Sequence, residues 1–460
     1  MPHIMTNSEL LVMFHRIVEA SPSRRTLFEA TLVEANARRL HCYLVGGAVR
    51  DLIRGHWSDS HSNAAADHDI DIDIACEGDA IALARAVTDR LGATLHTHSN
   101  FGTATLELGD YRIDLARTRR EHYLRAGALP EVEPAGIDAD LARRDFTVNA
   151  MALSLTTELG EDGETEPQAG TVVDHFGGVR DLERGLIRIL HDSSFQDDPT
   201  RLIRACRYAA RLKGRFAPAT SRAARRDIEF LGRLSNGRFG DAWRLLIADP
   251  AASGALVQAR RLRISQTWLP GWQVTRILAA HQNPALARHW NVEPAQFYWA
   301  LTGLSAAGAA PLDEIPQRCA LTKAERRALD AGGALRAAKS GLGRRSAPLS
   351  RIVATLRREP AAATAAASVL WRGVAGHRSE AFVDTWQYVR SPLSAPRLIE
   401  LGVVPGPALG GWLDALRNAV LDGNLPPDGS AEAERWIQSR RRLPPSPRGS
   451  RAKPEKETEP

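Results

Sequence analysis

"HDIDIDIAC", His68 to Cys76, alternates without a break. Asp69, Asp71 and Asp73 share one parity, and Ile70, Ile72 and Ile74 share the other. That two-residue period predicts a β-strand with one buried face. Aspartate is a poor strand former, and carboxylates crowded along one face repel one another unless a cation sits between them. A calcium loop of the EF-hand type is excluded, because the required glycine and downstream glutamate are missing. Two readings stay open on this stretch alone: a solvated acidic face, or a strand edge that holds magnesium through paired carboxylates. The surrounding sequence has to choose between them.

Outward from this strand the texture is that of a small mixed sheet with helices. "HCYLVGGAVRDLIRG", His41 to Gly55, reads as a buried strand, a Gly-Gly turn and a short helix. "GDAIALARAVTDRLG" reads as a helix with Asp79 as N-cap and Gly92 past its end. "TATLELGDYRIDLA" reads as a hairpin turning at Gly109-Asp110. Residues 7–38 read as two helices broken at Ser21 to Ser23. From about Leu186 the patterns are almost entirely helical, rich in Ala, Leu and Arg. The expected fold class is therefore α+β.

A length of 460 residues implies two to four domains. Formal net charge is +6, with a sequence pI of about 9.4, which favours a polyanionic partner. Cys42, Cys76, Cys206 and Cys319 lie far apart with no C-x-x-C pair. That spacing argues against a disulfide framework or a zinc site and for a reducing compartment. The apolar run "LLVMF" is too short for a signal peptide, and no segment approaches a membrane span. A cytoplasmic location is expected, with no membrane partner. Oligomeric state is not legible.

Three further stretches carry chemistry that matches the aspartates. In "LVGGAVRD", Leu44 to Asp51, Gly46 and Gly47 let backbone N–H groups approach a bound group, and Arg50 stands within reach of a phosphate. In "LARRDFTVNAMAL", Arg143, Arg144 and Asp145 precede an apolar run. In "FQDDPTRLIRACRYAARL", Asp198 and Pro199 open a helix, and Arg201, Arg204, Arg207 and Arg211 cover about one third of its circumference. A stripe of one sign gains no i,i+4 pairs, so it calls for phosphates or for carboxylates elsewhere in the chain. Each stretch alone also has a purely structural explanation: a tight turn, a basic helix cap, a set of ion pairs.

Taken in order, "LVGGAVRD", "DIDIA", "RRDFTVNAMAL", "DHFGGVRDL" and "DDPTRLIRACRYAARL" resemble the class II tRNA nucleotidyltransferase and bacterial poly(A) polymerase family. "GRFGDAWRLLI", Gly237 to Ile247, is similar to the family's next helical motif. The resemblance implies a polymerase-β-like nucleotidyltransferase head followed by an all-helical neck, body and tail. The boundaries expected are an N-terminal helical extension over 1–39, the head over 40–185 and the neck over 186–250. An RNA-binding body over 251–380, a tail over 381–439 and a disordered end over 440–460 would follow.

The resemblance also implies roles. Asp71 and Asp73 would hold Mg2+, with Asp114 as a third catalytic carboxylate. Gly46, Gly47 and Arg50 would meet the triphosphate, and Arg144 and Asp145 the nucleotide's phosphate and ribose side. Asp198 and Arg201 would read the base, and Arg204 and Arg207 would face the phosphates. The partners implied are ATP, CTP and tRNA or another RNA 3′ end. The reaction implied is attack of the RNA 3′-hydroxyl on the nucleotide α-phosphate. The flexible loop within "ARTRREHYLRAGALPEVEPAGIDADLARRDF" is of full length, which CC-only members resemble less, so CCA addition is expected first. A-only addition or poly(A) synthesis comes next. A catalytically silent RNA-binding protein is the reading from another class.

Overall fold

The computed structural model describes residues 7–55, 72–128, 130–156, 170–272, 274, 287, 289–305 and 312–440. Two compact units divide the chain, Met1–Val274 and Thr275–Pro460. Of the end expected to be disordered, 440–460, Arg440 closes a helix, and residues 441–460 lie outside the described residues, as do Asp69 and Asp71.

The first unit is built on a seven-stranded sheet. It begins with α1 (Asn7–Glu19) and α2 (Pro22–Ala37), the break between them fixed by Pro22 in the first turn of α2. Strand β1 (His41–Val45) turns through Gly46 into α3 (Gly47–Ile53). The aspartate strand is β2 (Ile72–Glu77), followed by α4 (Ala80–Leu91). Asp79 caps α4 by accepting from the Ile81 and Ala82 amides, and Gly92 ends it in the left-handed conformation at φ 68°. Then come β3 (Thr94–His98), β4 (Thr103–Leu108) and β5 (Tyr111–Arg117). The hairpin β6 (Arg119–His122) and β7 (Glu131–Pro134) leads to α5 (Ile137–Ala142), β8 (Ala152–Ser154), β9 (Val172–Val173) and α6 (Gly178–Glu183).

The sheet order is β3-β4-β5-β2-β1-β8-β9. Only β2 and β5 run parallel; the other neighbours are antiparallel. The alternation read in β2 holds across the described part: Ile72, Ile74 and Cys76 join the main core with Cys42 and Leu44 of β1 and Ile113 and Leu115 of β5. That face is covered by α1 to α4, through residues such as Phe14, Leu27, Leu52 and Leu83. The N-terminal helices thus share the core of the sheet. The other face carries a smaller cluster, Tyr43, Val45, Ala75, Ile137 and Leu141. Asp73 and Asp114 have the parity of this second face.

Sequence distance concealed one pairing. Cys42 and Cys76 are cross-strand partners, with Sγ atoms 3.4 Å apart and both thiols free and buried.

Beyond the sheet, β10 (Leu186–Ile187) pairs in parallel with β11 (Arg215–Phe216), two short strands that the helical texture hid. Between them lie α7 (Ser194–Asp197) and α8 (Thr200–Arg211); α9 (Pro218–Arg226), α10 (Asn236–Ala248), α11 (Ala252–Arg261) and α12 (Ile264–Trp268) follow. Helix α8 packs on α10 and α11. Phe239 stacks on Trp268 at 4.2 Å between centroids and on Trp243 at 5.6 Å, so the "GRFGDAWRLLI" segment supplies core aromatics here.

The second unit is helical. Helices Pro294–Ser305 and Lys323–Leu342 cross at glycines: a Cβ on Gly303 would lie 2.2 Å from the Leu329 carbonyl, and one on Gly332 would lie 2.3 Å from that of Ala300. A capping box, Thr322 with Glu325, opens the second of them. Leu398, Trp412, Leu416 and Ile437 form a separate core near its end. Among the described residues no helix is long and apolar enough to cross a membrane.

Candidate active site

In the parallel pair of β2 and β5, Asp73 stands in register with Asp114. Neighbouring strands are about 4.8 Å apart, so two carboxylates project side by side from the face turned away from the main core. Asp73 is exposed on a cavity of about 510 Å³. Asp114 is not among the described lining residues; its Oδ1 accepts from the Thr105 hydroxyl at 2.5 Å, and Arg112 lies 3.6 Å from its Oδ2. Hard oxygen donors in adjacent register fit a hard divalent cation. Asp71, the expected partner of Asp73, lies outside the described residues.

Gly46 and Gly47 line the same cavity. Gly46 has φ +74°, and a Cβ there would lie 3.2 Å from Arg144 Nη1, so glycine keeps the β1–α3 turn and the guanidinium together. Arg50 is not among the described lining residues of this cavity. Its side chain is buried, with Nε and Nη2 donating to Asp51 at 2.9 and 2.7 Å and Nη1 donating to Asn149 Oδ1 at 2.7 Å. A guanidinium taken out of water needs such partners, and Arg50 uses them to tie α3 to the 147–149 turn.

The "RRDF" segment lies on the cavity wall through Arg143, Arg144 and Asp145. Arg144 Nη2 donates to Asp140 Oδ2 at 2.9 Å, and Arg143 bonds both Asp140 and Glu121. Burial pushes the Asp140 carboxyl up, but Arg144 and Arg143 outweigh it and hold the group below the usual carboxylate range. Asp145 is 6% exposed. Its Oδ1 accepts from the Phe146 amide and the Asn149 side chain, and its Oδ2 from Arg204 Nε and Nη2 at 2.8 and 2.7 Å. Burial raises its pKa; the Arg204 charge and the Asn149 bond lower it, and the net shift is downward. Asp145 therefore sits in the wall as an anchored carboxylate.

Helix α8 supplies the opposite wall. Asp198, two residues before its first residue, accepts from the Thr200 amide and hydroxyl at 3.0 and 2.7 Å. Arg201 lines the cavity while its Nη1 donates to Ser194 Oγ at 2.8 Å and its Nη2 to the Arg143 carbonyl at 2.6 Å. The rest of the stripe answers to carboxylates of the chain: Arg204 to Asp145, Arg207 to Asp249 at 3.8 Å, Arg211 to Asp51 at 3.9 Å. Arg207 is not among the described lining residues of this cavity. Arg204 lines the cavity but is committed to Asp145. The guanidinium groups of Arg50, Arg204 and Arg207 gather within 5.0 to 5.8 Å of the Tyr208 ring centre.

Residues 42–188 match the family model described as the poly A polymerase head domain. An A-adding tRNA nucleotidyltransferase of Aquifex aeolicus is 37% identical over 51% of this chain and 26% of its own length. The chain thus spans between a fifth and two fifths of the A-adding relatives it matches. A CC-adding tRNA nucleotidyltransferase of Deinococcus radiodurans is 33% identical over 85% of this chain and 87% of its own length. The chain belongs to the class II tRNA nucleotidyltransferase family. A solved structure of a CCA-adding enzyme in apo form covers 95% of the chain and 99% of that protein, with a TM-score of 0.72 and 25% identity.

Within this tRNA nucleotidyltransferase fold, several lining residues escaped the sequence reading: Phe101, Arg119, Glu121, Tyr123 and Arg238. Three of them sit on or beside the β6–β7 hairpin, the segment expected to be a flexible loop. Glu121 is its node, accepting from Arg119, Arg143 and the Tyr123 hydroxyl. Burial, with the Glu121 charge, pushes the Tyr123 phenol up, so it stays a hydrogen-bond donor. "RREH" and "EVEP" lack the apolar alternation that marks a strand, so the hairpin gave no signal. Arg238 does lie inside a quoted motif, and the signal that could have found it is its place in the first turn of α10.

Proposed function

We propose that the protein adds CCA to tRNA 3′ ends from CTP and ATP without a nucleic-acid template, as a Mg2+-dependent nucleotidyltransferase. The observation that carries this reading is one cavity lined by Asp73 and Gly46 on the sheet side and by Asp198 and Arg201 on the α8 side. That span suits a nucleoside triphosphate, with phosphates at one end and a base edge at the other.

In this reading Asp71 and Asp73, with Asp114 in register with Asp73, would hold the divalent ions. The chemistry such ions supply when bound is activation of the 3′-hydroxyl and neutralisation of charge on the departing oxygens. Gly46 and Gly47 leave room for phosphate oxygens next to the backbone, and Arg144 adds a charge-assisted donor. Asp198 offers an acceptor and Arg201 a fork of donors, a pair able to match the edge of cytosine or adenine. The RNA 3′-oxygen bonds to the α-phosphorus as the bond to pyrophosphate breaks, and the hydroxyl proton leaves to solvent.

Relatives named for A addition and for CC addition favour a second reading, in which the protein completes only part of the triplet. The test is single-nucleotide addition to tRNA transcripts lacking CCA, CA or the final A, with each nucleotide in turn. CCA addition requires C, C and A in that order. Growth on only the last transcript, or a stop after CC, gives the second reading, and no growth on any transcript removes both.

A further inference from the structure

Next to the carboxylates of β2 and β5 stands a hydroxyl on β4. Asp114 has Asp73 as its register partner on one side and Thr105 of β4 on the other. Ala104 and Leu106 of β4 and Ile113 and Leu115 of β5 join the main core, so Thr105 and Asp114 share the opposite face with Asp73. The backbone brings the two side chains close. The Arg117 amide donates to the Gly102 carbonyl at 2.9 Å, which makes 102 and 117 a hydrogen-bonded pair at the end of the β4–β5 register. Bonded and non-bonded pairs alternate along an antiparallel ladder, so Thr105 and Asp114 form a non-bonded pair, with Cα atoms about 4.5 Å apart. At that spacing a short side chain reaches across: Thr105 Oγ1 donates to Asp114 Oδ1 at 2.5 Å.

A hydroxyl bonded to a carboxylate is a charge-assisted contact, among the stronger hydrogen bonds a side chain makes. Threonine is stiff at χ1 because of its β-branch, whereas the last torsion of an aspartate is broad. The threonine therefore supplies an orientation that the carboxylate lacks. Arg112 does not supply it: it lies 3.6 Å from Oδ2, beyond hydrogen-bond range, and its side chain is 49% exposed. We propose that Thr105 is a positioning residue of the metal site: its hydroxyl holds Asp114 Oδ1 from the β4 side and so leaves Oδ2 for a divalent cation beside Asp73. This rests on the metal-holding role given to Asp73 and Asp114 above. Groups behind a metal ligand set its orientation and through it the affinity for the ion. Valine at 105 keeps the shape and the strand preference and removes only the donor; serine keeps the donor.

The experiment titrates the full chain with Mn2+ alone, without nucleotide or RNA, and follows the paramagnetic resonance signal of the free ion. It compares the parent, Thr105→Val, Thr105→Ser, Asp114→Asn and the double variant Thr105→Val with Asp114→Asn. Melting temperatures, and CTP addition to tRNA over a range of Mg2+ concentrations, are recorded beside them. Thr105→Val should weaken Mn2+ binding about tenfold, and Thr105→Ser should stay within about threefold of the parent. In the Asp114→Asn background valine should weaken binding no further, because the hydroxyl acts only through that carboxylate. CTP addition by Thr105→Val should fall at limiting Mg2+ and return to the parent's kcat at saturating Mg2+, a rescue that a merely structural loss does not show. Unchanged Mn2+ binding in Thr105→Val overturns the proposal. So does unchanged binding in Asp114→Asn, or a loss of addition that Mg2+ does not restore. A parent that adds nucleotides and binds Mn2+ while Thr105→Val matches it removes only this inference. A parent that binds no Mn2+ removes the metal assignment as well, and a parent that adds no nucleotide removes the proposed function.

Discussion

Asp145 and Arg204 share one ion pair but not one environment. The carboxylate is 6% exposed, while the arginine side chain keeps 38% of its surface in water. Removing either partner is therefore not equivalent. Arg204→Ala strands a buried charge, which should cost about 3 kcal/mol. Asp145→Asn keeps an acceptor for the Phe146 amide and leaves a cation that reaches solvent, so roughly 1–2 kcal/mol is expected. Urea midpoints with unchanged m-values would measure both, and equal losses would refute the asymmetry. The pH dependence follows from the same pair. A carboxyl held below its ordinary value of about 3.9 contributes stability that is full above that pH and is lost as pH falls through the folded value. Asp145→Asn should therefore flatten the acid limb of the stability curve below about pH 4. At this scale the sequence showed which residues gather and not what they bind. Asp73, Asp198 and Arg201 line the cavity, whereas Arg50 and Arg207 serve Asp51, Asn149 and Asp249. The periodicity of an arginine stripe is the same for a phosphate and for a distant carboxylate, so spacing alone could not separate them.

Elements were legible where burial imposes a period. The alternation in β2, the capped helix α4 and the β4–β5 hairpin with Gly109 at φ 61° all have that property. The β6–β7 hairpin does not, because its side chains serve a polar network and no apolar face is needed. The "DHFGGVRDL" stretch shows an element whose role is mechanical. Asp174 accepts from the Gly178 and Val179 amides to start α6, and Asp181 of α6 accepts from Thr147 and Arg188. Gly178 lies so close to the 147–151 segment that a Cβ would sit 2.3 Å from the Thr147 carbonyl and 2.8 Å from Met151. Gly178→Ala should destabilise by about 1–3 kcal/mol through overpacking. It should also reduce nucleotide addition, because the displaced turn carries Asn149, a partner of both Arg50 and Asp145. Asp79→Ala is the contrasting case: loss of a cap remote from the cavity should cost about 1 kcal/mol and leave kcat unchanged. A Gly178→Ala protein with parent activity would sever the motif from the site.

For the whole molecule, composition speaks about the partner more than about the fold. A formal net charge of +6, with arginine far in excess of lysine, suits a protein that holds a long polyanion. In the α8 stripe Arg204, Arg207 and Arg211 are engaged by carboxylates of the chain, so the proposed binding of tRNA calls on other cations. Each phosphate neutralised by a lysine or arginine releases condensed counterions, and log affinity then falls linearly with log salt at a slope of roughly −0.7 to −0.9 per contact. A partner met through several phosphates should lose at least about a hundredfold in affinity between roughly 50 and 200 mM salt. Asp73→Ala separates binding from chemistry in the same measurement. Its carboxylate is exposed on the sheet face and proposed to hold metal, so the variant should fold normally and bind tRNA with the parent's affinity and salt slope. Nucleotide addition should fall more than about a hundredfold, the loss expected when ion-assisted activation of the attacking hydroxyl is removed. Turnover within tenfold of the parent would remove the metal assignment. A flat salt response in both proteins would instead remove the electrostatic account of RNA binding, with the metal assignment left standing.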